Sequence, residues 1–217
     1  MPRQMLRQTI VASGGSPDAR LMDYVLGLAG GSRVLVDGAA SPTCEGPLDL
    51  PGELTPVSFY PWPPENLREL ALSQDVILVC GGNTANLLAV WRVHGFDSVP
   101  REAWESGVVP FGWSAGMICW FEACVTGSFG PQLAGMRDGL GLLPGSACPH
   151  YDGEERRRPV YTSLVADGFP PGLRTRQRGS RSRPDSCREP YAVRRRRLNS
   201  ANHASVRSPI QTGVRRT

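Results

Sequence analysis

Two segments leave this chain little choice of architecture. Asp75-Val76-Ile77-Leu78-Val79-Cys80 is an unbroken apolar run, and Gly81-Gly82-Asn83-Thr84 follows it at once. Further along, Val108-Val109-Pro110-Phe111 runs directly into Gly112-Trp113-Ser114-Ala115-Gly116. Strands that are apolar on both faces belong to a parallel sheet covered on both sides, and parallel neighbours need crossover connections. Helical spacing supplies candidates over Glu65–Ser73, over Asn86–Val93 with Leu87, Leu88 and Trp91 inward, and over Arg101–Ser106. Upstream, Gln8–Ser13 reads as a strand ending at Gly14-Gly15. Ser16-Pro17-Asp18 then reads as a helix start with the proline in the first turn. Leu21, Tyr24, Val25 and Leu28 share a helical face, Gly30-Gly31 stops that helix, and Arg33–Val36 is the next strand. The expected fold is α/β and three-layered, a mostly parallel sheet with helices on both faces. Residues 39–66 are broken by prolines and offer a short strand at Val57-Ser58-Phe59-Tyr60 but no crossover helix.

Charge divides the chain more sharply than hydropathy does. The 217 residues contain no lysine and carry a formal net charge of +4. Residues 1–173 hold 11 Arg against 18 Asp and Glu, whereas residues 174–217 hold 13 Arg against 2 acids. The expected organisation is one α/β domain over 1–173 and an Arg-rich, disordered tail over 174–217. As a basic arm the tail would bind nucleic acid non-specifically and in a salt-dependent way. Its Arg/Ser/Pro bias, with Tyr191 its only aromatic residue, favours instead an out-of-frame reading of a GC-rich gene. No run of 18 apolar residues exists, so no membrane span is expected. Met1-Pro2-Arg3-Gln4 lacks an apolar signal core, which points to the cytoplasm. Cys44, Cys80, Cys119, Cys124, Cys148 and Cys187 form no C-x-x-C pair, and with three histidines there is no metal-ligand spacing, so neither a metal nor a cofactor is expected.

Gly112-Trp113-Ser114-Ala115-Gly116 fits G-x-S-x-G, with a buried strand before it and a helix after it, the context this motif requires. The turn lifts the Ser114 hydroxyl above the sheet and aims the Ala115 N–H where an oxyanion would form. A serine hydroxyl needs a base. His203 lies in the tail and His94 precedes Gly95 at a helix end, where it caps carbonyls, which leaves His150 in Cys148-Pro149-His150-Tyr151-Asp152. Asp152 would share a face with His150 in an extended segment and is the candidate orienting acid, with Glu122, Asp138, Glu154 and Glu155 as other carboxylates. Gly81-Gly82-Asn83-Thr84 sits at the carboxyl end of a strand, where open α/β sheets bind ligands. Gly82 or Asn83 would supply a second oxyanion N–H, or Asn83 simply caps the next helix.

Val79–Leu88, Gly112–Gly116 and Pro149–Glu154, in this order, resemble the peptidase E family of serine peptidases, the aspartyl dipeptidases. The resemblance runs from about residue 65 to 172 and is fainter over 8–60. It implies a fold similar to class I glutamine amidotransferases, with serine in place of the elbow cysteine, and cleavage of dipeptides with an N-terminal aspartate without metal or cofactor. It also implies Ser114 as nucleophile, His150 as base and the Gly82 and Ala115 amides as oxyanion donors. An acid two residues beyond the histidine completes the triad of the amidotransferases, the place of Asp152 here. The chain departs from the family in three ways. Gly127, in Val125-Thr126-Gly127-Ser128-Phe129, stands where the family commonly carries an aspartate. Residues 39–56 are shortened, and relatives continue past 172 with further strands that finish the sheet, so C-terminal strands are expected to be missing. Arg92, Arg101 and Arg137 are candidates to meet substrate carboxylates. The expected partner is a small peptide, with the chain a monomer or homodimer. The competing expectations are a catalytically impaired relative, and nucleic-acid binding through the tail.

Overall fold

The computed structural model describes residues 8–41, 49–175 and 191–194. The first part of the chain forms β1 (Thr9–Ser13), α1 (Ala19–Ala29), β2 (Arg33–Asp37), β3 (Glu53–Val57), α2 (Leu67–Leu72), β4 (Val76–Val79), α3 (Thr84–Val93), α4 (Val99–Glu105) and β5 (Val109–Trp113). The rest forms α5 (Ala115–Ile118), β6 (Phe121–Thr126), β7 (Ala134–Met136), β8 (Leu143–Cys148), α6 (Arg157–Ala166), β9 (Gly172–Arg174) and β10 (Tyr191–Arg194).

The alternation of apolar strands and helices produces a six-stranded sheet ordered β10-β1-β5-β4-β2-β3, parallel except for β10, which lies antiparallel on β1. Successive residues of each central strand point to opposite faces. Val76 and Leu78 pack under Leu21, Met22 and Val25 of α1. Ile77 and Val79 pack on the other side with Leu87, Leu88 and Trp91 of α3 and Ala103 and Trp104 of α4. Helices therefore cover both faces, as expected. Because β1, β2, β4 and β5 run in one direction, their carboxyl ends share an edge. Asp37, Cys80, Ser13 and Ser114 all end up there.

The structure departs from the sequence reading in several places. Downstream of α5 the chain builds a separate four-stranded sheet, β7-β6-β8-β9, before β10 returns to the edge of the first. Its β6 and β8 contribute Cys124 and Ala147 to the same core as α3, while Ala123 and Cys148 face Tyr161 and Phe169. The strand expected at Val57–Tyr60 lies instead at Glu53–Val57. Ser58 Oγ accepts from the Tyr60 N–H and donates to the Tyr60 carbonyl, a turn that ends the strand. Pro56 is tolerated because, among the described residues, β3 pairs only with β2 and its other edge needs no donor. No helix lies between β2 and β3 among the described residues. The cap of α1 is Asp18, whose Oδ1 accepts from the Leu21 N–H at 2.9 Å, so Pro17 precedes the helix. Met22 is buried where Tyr24 was expected, and Tyr24 faces solvent. Within the residues assigned to the tail, Arg174 belongs to β9, Thr175 is buried and Tyr191–Arg194 form β10. Residues 176–190 and 195–217, which include Cys187 and His203, lie outside the described residues. Among the described residues no helix is long and apolar enough to cross a membrane.

Candidate active site

The turn between β5 and α5 is made by interlocked glycines. A Cβ on Gly112 would lie 2.1 Å from the Gly116 carbonyl oxygen, and one on Gly116 would lie 2.2 Å from the Val79 carbonyl oxygen. Both positions must lack a side chain for β4, β5 and α5 to meet. Ser114 is held between them at φ 52 and ψ −113, a conformation that glycine adopts readily and serine does not. Its N–H donates to the Ser13 carbonyl at 3.1 Å, which ties the turn to β1.

His150 follows the end of β8 and also has positive φ, 52. Its imidazole Nε2 lies 2.8 Å from Ser114 Oγ, so the structure brings the expected nucleophile and base into hydrogen-bond contact. His94 is at the carboxyl end of α3 as expected, with its ring on Phe59, 5.6 Å between centroids.

Ser114 and Ala115 line a cleft of about 160 Å³ with Gly82, Asn83, Thr84, Ile118, Thr126, Gly127, Ser128, Pro149 and Arg157. Gly82, at φ 146, lies so close to the Ala40 carbonyl that a Cβ would stand 2.2 Å from its oxygen. Asn83 does two things with its side chain. Its Oδ1 accepts from the Asn86 N–H and caps α3, and its Nδ2 donates to the Ser128 carbonyl at 3.0 Å. The Ala85 N–H also donates to Ser128 Oγ, so the loop carrying Gly127 is pinned to the start of α3.

Of the other expected residues, Asp152 stays on the turn that carries His150, while the remaining carboxylates and the arginines are engaged on other partners. The argument for Asp152 assumed an extended segment. Instead the chain turns at His150, whose carbonyl accepts from the Gly153 and Glu154 N–H groups, and the Asp152 carboxylate pairs with Arg158. Glu122 accepts from the Gly145 N–H, Asp138 pairs with Arg92 and Glu154 pairs with Arg157. No carboxylate lines the cleft among the described residues. The three arginines expected to meet substrate are engaged away from it: Arg92 on Asp138, Arg101 on the Leu140 and Gly141 carbonyls, and Arg137 on the Gly168 carbonyl.

Arg157, not singled out from sequence, is the cation that lines the cleft among the described residues. It is buried, donating from Nε to Glu154 Oε2 at 2.8 Å and from Nη1 to the Val125 carbonyl at 2.9 Å. In the sequence it is one of three consecutive arginines, a pattern that reads as solvated surface. Cys119, Cys124 and Cys148 are unsuited to nucleophilic work at neutral pH. Burial pushes Cys119 well up, Cys124 to about 12 and Cys148 to about 11, so all three remain thiols.

Comparison with known proteins gives the site a family context. The model of peptidase family S51 matches residues 48–172. An uncharacterized peptidase of Bacillus subtilis (strain 168), YgaJ, is 50% identical over 113 residues, 52% of this chain and 48% of that protein. The chain thus spans about half the length of the curated relative it matches. Among solved structures, a peptidase from an acI-B1 Actinobacterium superimposes with a TM-score of 0.56 at 16% identity, over 79% of this chain and 81% of its own. A protein of Listeria monocytogenes EGD-e named after peptidase E gives a TM-score of 0.50 at 18% identity, over 74% and 87%. These two likenesses concern the fold.

Proposed function

Because the chain belongs to peptidase family S51, we propose that it is a serine-type peptidase acting on small peptides, dipeptides with N-terminal aspartate foremost. The observation that carries the reading is the 2.8 Å contact between Ser114 Oγ and His150 Nε2 at a strained strand-to-helix turn. Ser114 Oγ attacks the scissile carbonyl carbon while His150 takes its proton and then delivers it to the leaving amine. Water, deprotonated by the same imidazole, releases the acyl group. The Gly82 and Ala115 N–H groups hold the oxyanion. A cleft of about 160 Å³ suits a small peptide better than a long segment. Arg157 at its wall suits a substrate carboxylate, to which a guanidinium binds strongly. Asp152, two residues along the turn that carries His150 and paired with Arg158, is proposed as the orienting acid by its place on that turn and not by a shared extended face.

The test is labelling by a fluorophosphonate together with hydrolysis of an Asp-X and Ala-X dipeptide panel. Labelling at Ser114, its loss in Ser114→Ala, and a raised KM for Asp-X in Arg157→Gln with Ala-X unchanged support the reading. A folded chain that neither labels nor hydrolyses overturns it. A second reading, a slow relative of the family, is favoured by Gly127 and by a cleft that no carboxylate lines among the described residues. It is distinguished by labelling at Ser114 with turnover too slow to follow.

A further inference from the structure

Asp37 is a carboxylate with no part in the chemistry above, yet it is wholly buried at the carboxyl end of β2. Two donors converge on it. Trp91 Nε1–H donates to its Oδ2 at 2.7 Å and the Ala39 N–H donates to its Oδ1 at 2.7 Å. Trp91 belongs to α3, the helix that begins immediately after Gly82-Asn83, and Ala39 belongs to the turn on which Gly82 rests. The main chain repeats the connection. The Cys80 N–H donates to the Asp37 carbonyl at 2.9 Å and the Asn83 N–H donates to the Ala40 carbonyl at 2.7 Å. The Gly81–Asn83 turn is thus gripped before it, after it and beneath it by groups that all lead back to one residue.

We propose that Asp37 is the positioning residue of the oxyanion turn, fixing the Gly82 amide through Ala39-Ala40 below and through Trp91 on α3 above. The role in catalysis rests on the serine-peptidase reading, while the role in holding the turn does not. A carboxylate is required because an amide offers one acceptor oxygen to two converging N–H groups. In Asp37→Asn one of those donors must face an NH₂ group, and either Ala39 or Trp91 loses its anchor.

The experiment uses the full chain and follows backbone amide exchange together with steady-state kinetics on an Asp-X dipeptide. In Asp37→Asn the Asn83 amide should exchange roughly tenfold faster or more, the loss of about one hydrogen bond, while the Phe169 amide keeps its wild-type rate. The kcat should fall by roughly tenfold or more as the oxyanion donor moves, with KM nearly unchanged. Trp91→Phe, which deletes one donor and leaves the carboxylate, should accelerate Asn83 exchange in the same sense but less, and serves if Asp37→Asn does not fold. Val25→Ala, on the opposite face of the sheet, should lower the melting temperature without moving Asn83 exchange or kcat. Unchanged Asn83 exchange in Asp37→Asn, or unchanged kcat in an enzyme that Ser114→Ala inactivates, overturns the proposal. Faster Asn83 exchange in a chain that hydrolyses nothing leaves the positioning role standing and removes the peptidase reading.

Discussion

Replacing Ser114 by glycine should stabilise the protein relative to replacing it by alanine, although both variants lose the nucleophile. At φ 52 and ψ −113 a residue with a Cβ pays for its place, and such conformations cost about 1–3 kcal/mol. The turn cannot relax by sliding, because Gly112 is against the Gly116 carbonyl and Gly116 against the Val79 carbonyl, each with no room for a Cβ. Both variants lose the hydrogen bond to His150, so that contribution cancels between them. Glycine also gives the unfolded chain about 0.4–1 kcal/mol more conformational freedom than alanine, which offsets part of the gain. The net advantage of Ser114→Gly over Ser114→Ala is therefore about 1 kcal/mol. For a domain of this size that corresponds to a melting temperature roughly 2–4 °C higher. Calorimetric melts of the two inactive variants measure the difference directly. Ala115→Gly, at the first residue of α5, should shift the other way by about 0.4–1 kcal/mol, since glycine there adds freedom to the unfolded chain and relieves no positive φ. If Ser114→Ala melts at or above Ser114→Gly, the turn is not strained and the argument from interlocked glycines fails.

Three further outcomes follow from the same geometry. Gly82→Ala forces a Cβ to within 2.2 Å of the Ala40 carbonyl oxygen, at φ 146. It should lower kcat by roughly 10²–10³ with little change in KM, as loss of an oxyanion donor does, and steady-state kinetics would show it. Gly127→Asp should be tolerated, since a Cβ there meets nothing closer than Leu133 Cδ2 at 3.8 Å. An acid restored where the family commonly has one should raise kcat, by up to about 10⁴ if it orients His150, and an unchanged rate would reject that place for the acid. Burial raises Asp37 from 3.8 to about 7, against the donated bonds from Ala39 and Trp91. The nearby Cys119, itself pushed up by burial, stays neutral. A buried acid with a raised value binds its proton more tightly folded than unfolded. Its contribution is therefore fully favourable below pH 3.8 and is lost as pH rises to about 7, by about 4 kcal/mol in all. Denaturant titrations from pH 4 to 8 should show that slope in wild type and a flatter one in Asp37→Asn.

The main sheet was legible because β4 and β5 are apolar on both faces and end in glycine turns, a combination few other structures accommodate. Ser114 followed from the second of those turns, and His150 from elimination among three histidines. The second sheet was not legible. β7 and β9 are three residues each, β8 contains Pro144 and Gly145, and the pairing of β6 with β8 depends on contacts far apart in sequence. Asp152 illustrates a different limit. Its alignment with His150 held only for extended backbone, and the positive φ at His150 turns the chain instead. Arg157 was hidden because burial within Arg156-Arg157-Arg158 depends on where α6 packs, not on residue type.

The pairing of β10 with β1 also bears on how the molecule coexists with other copies of itself. β1 is a buried, apolar strand, and Thr9 to Ala12 find their partners in Arg194 to Tyr191. Without β10 that edge would present a row of backbone donors and acceptors ready to template another chain. The covering strand ends at Arg194, and the sequence continues with Arg195, Arg196 and Arg197. By occupying the β1 edge, β10 would thus help set the concentration at which the protein stays in solution.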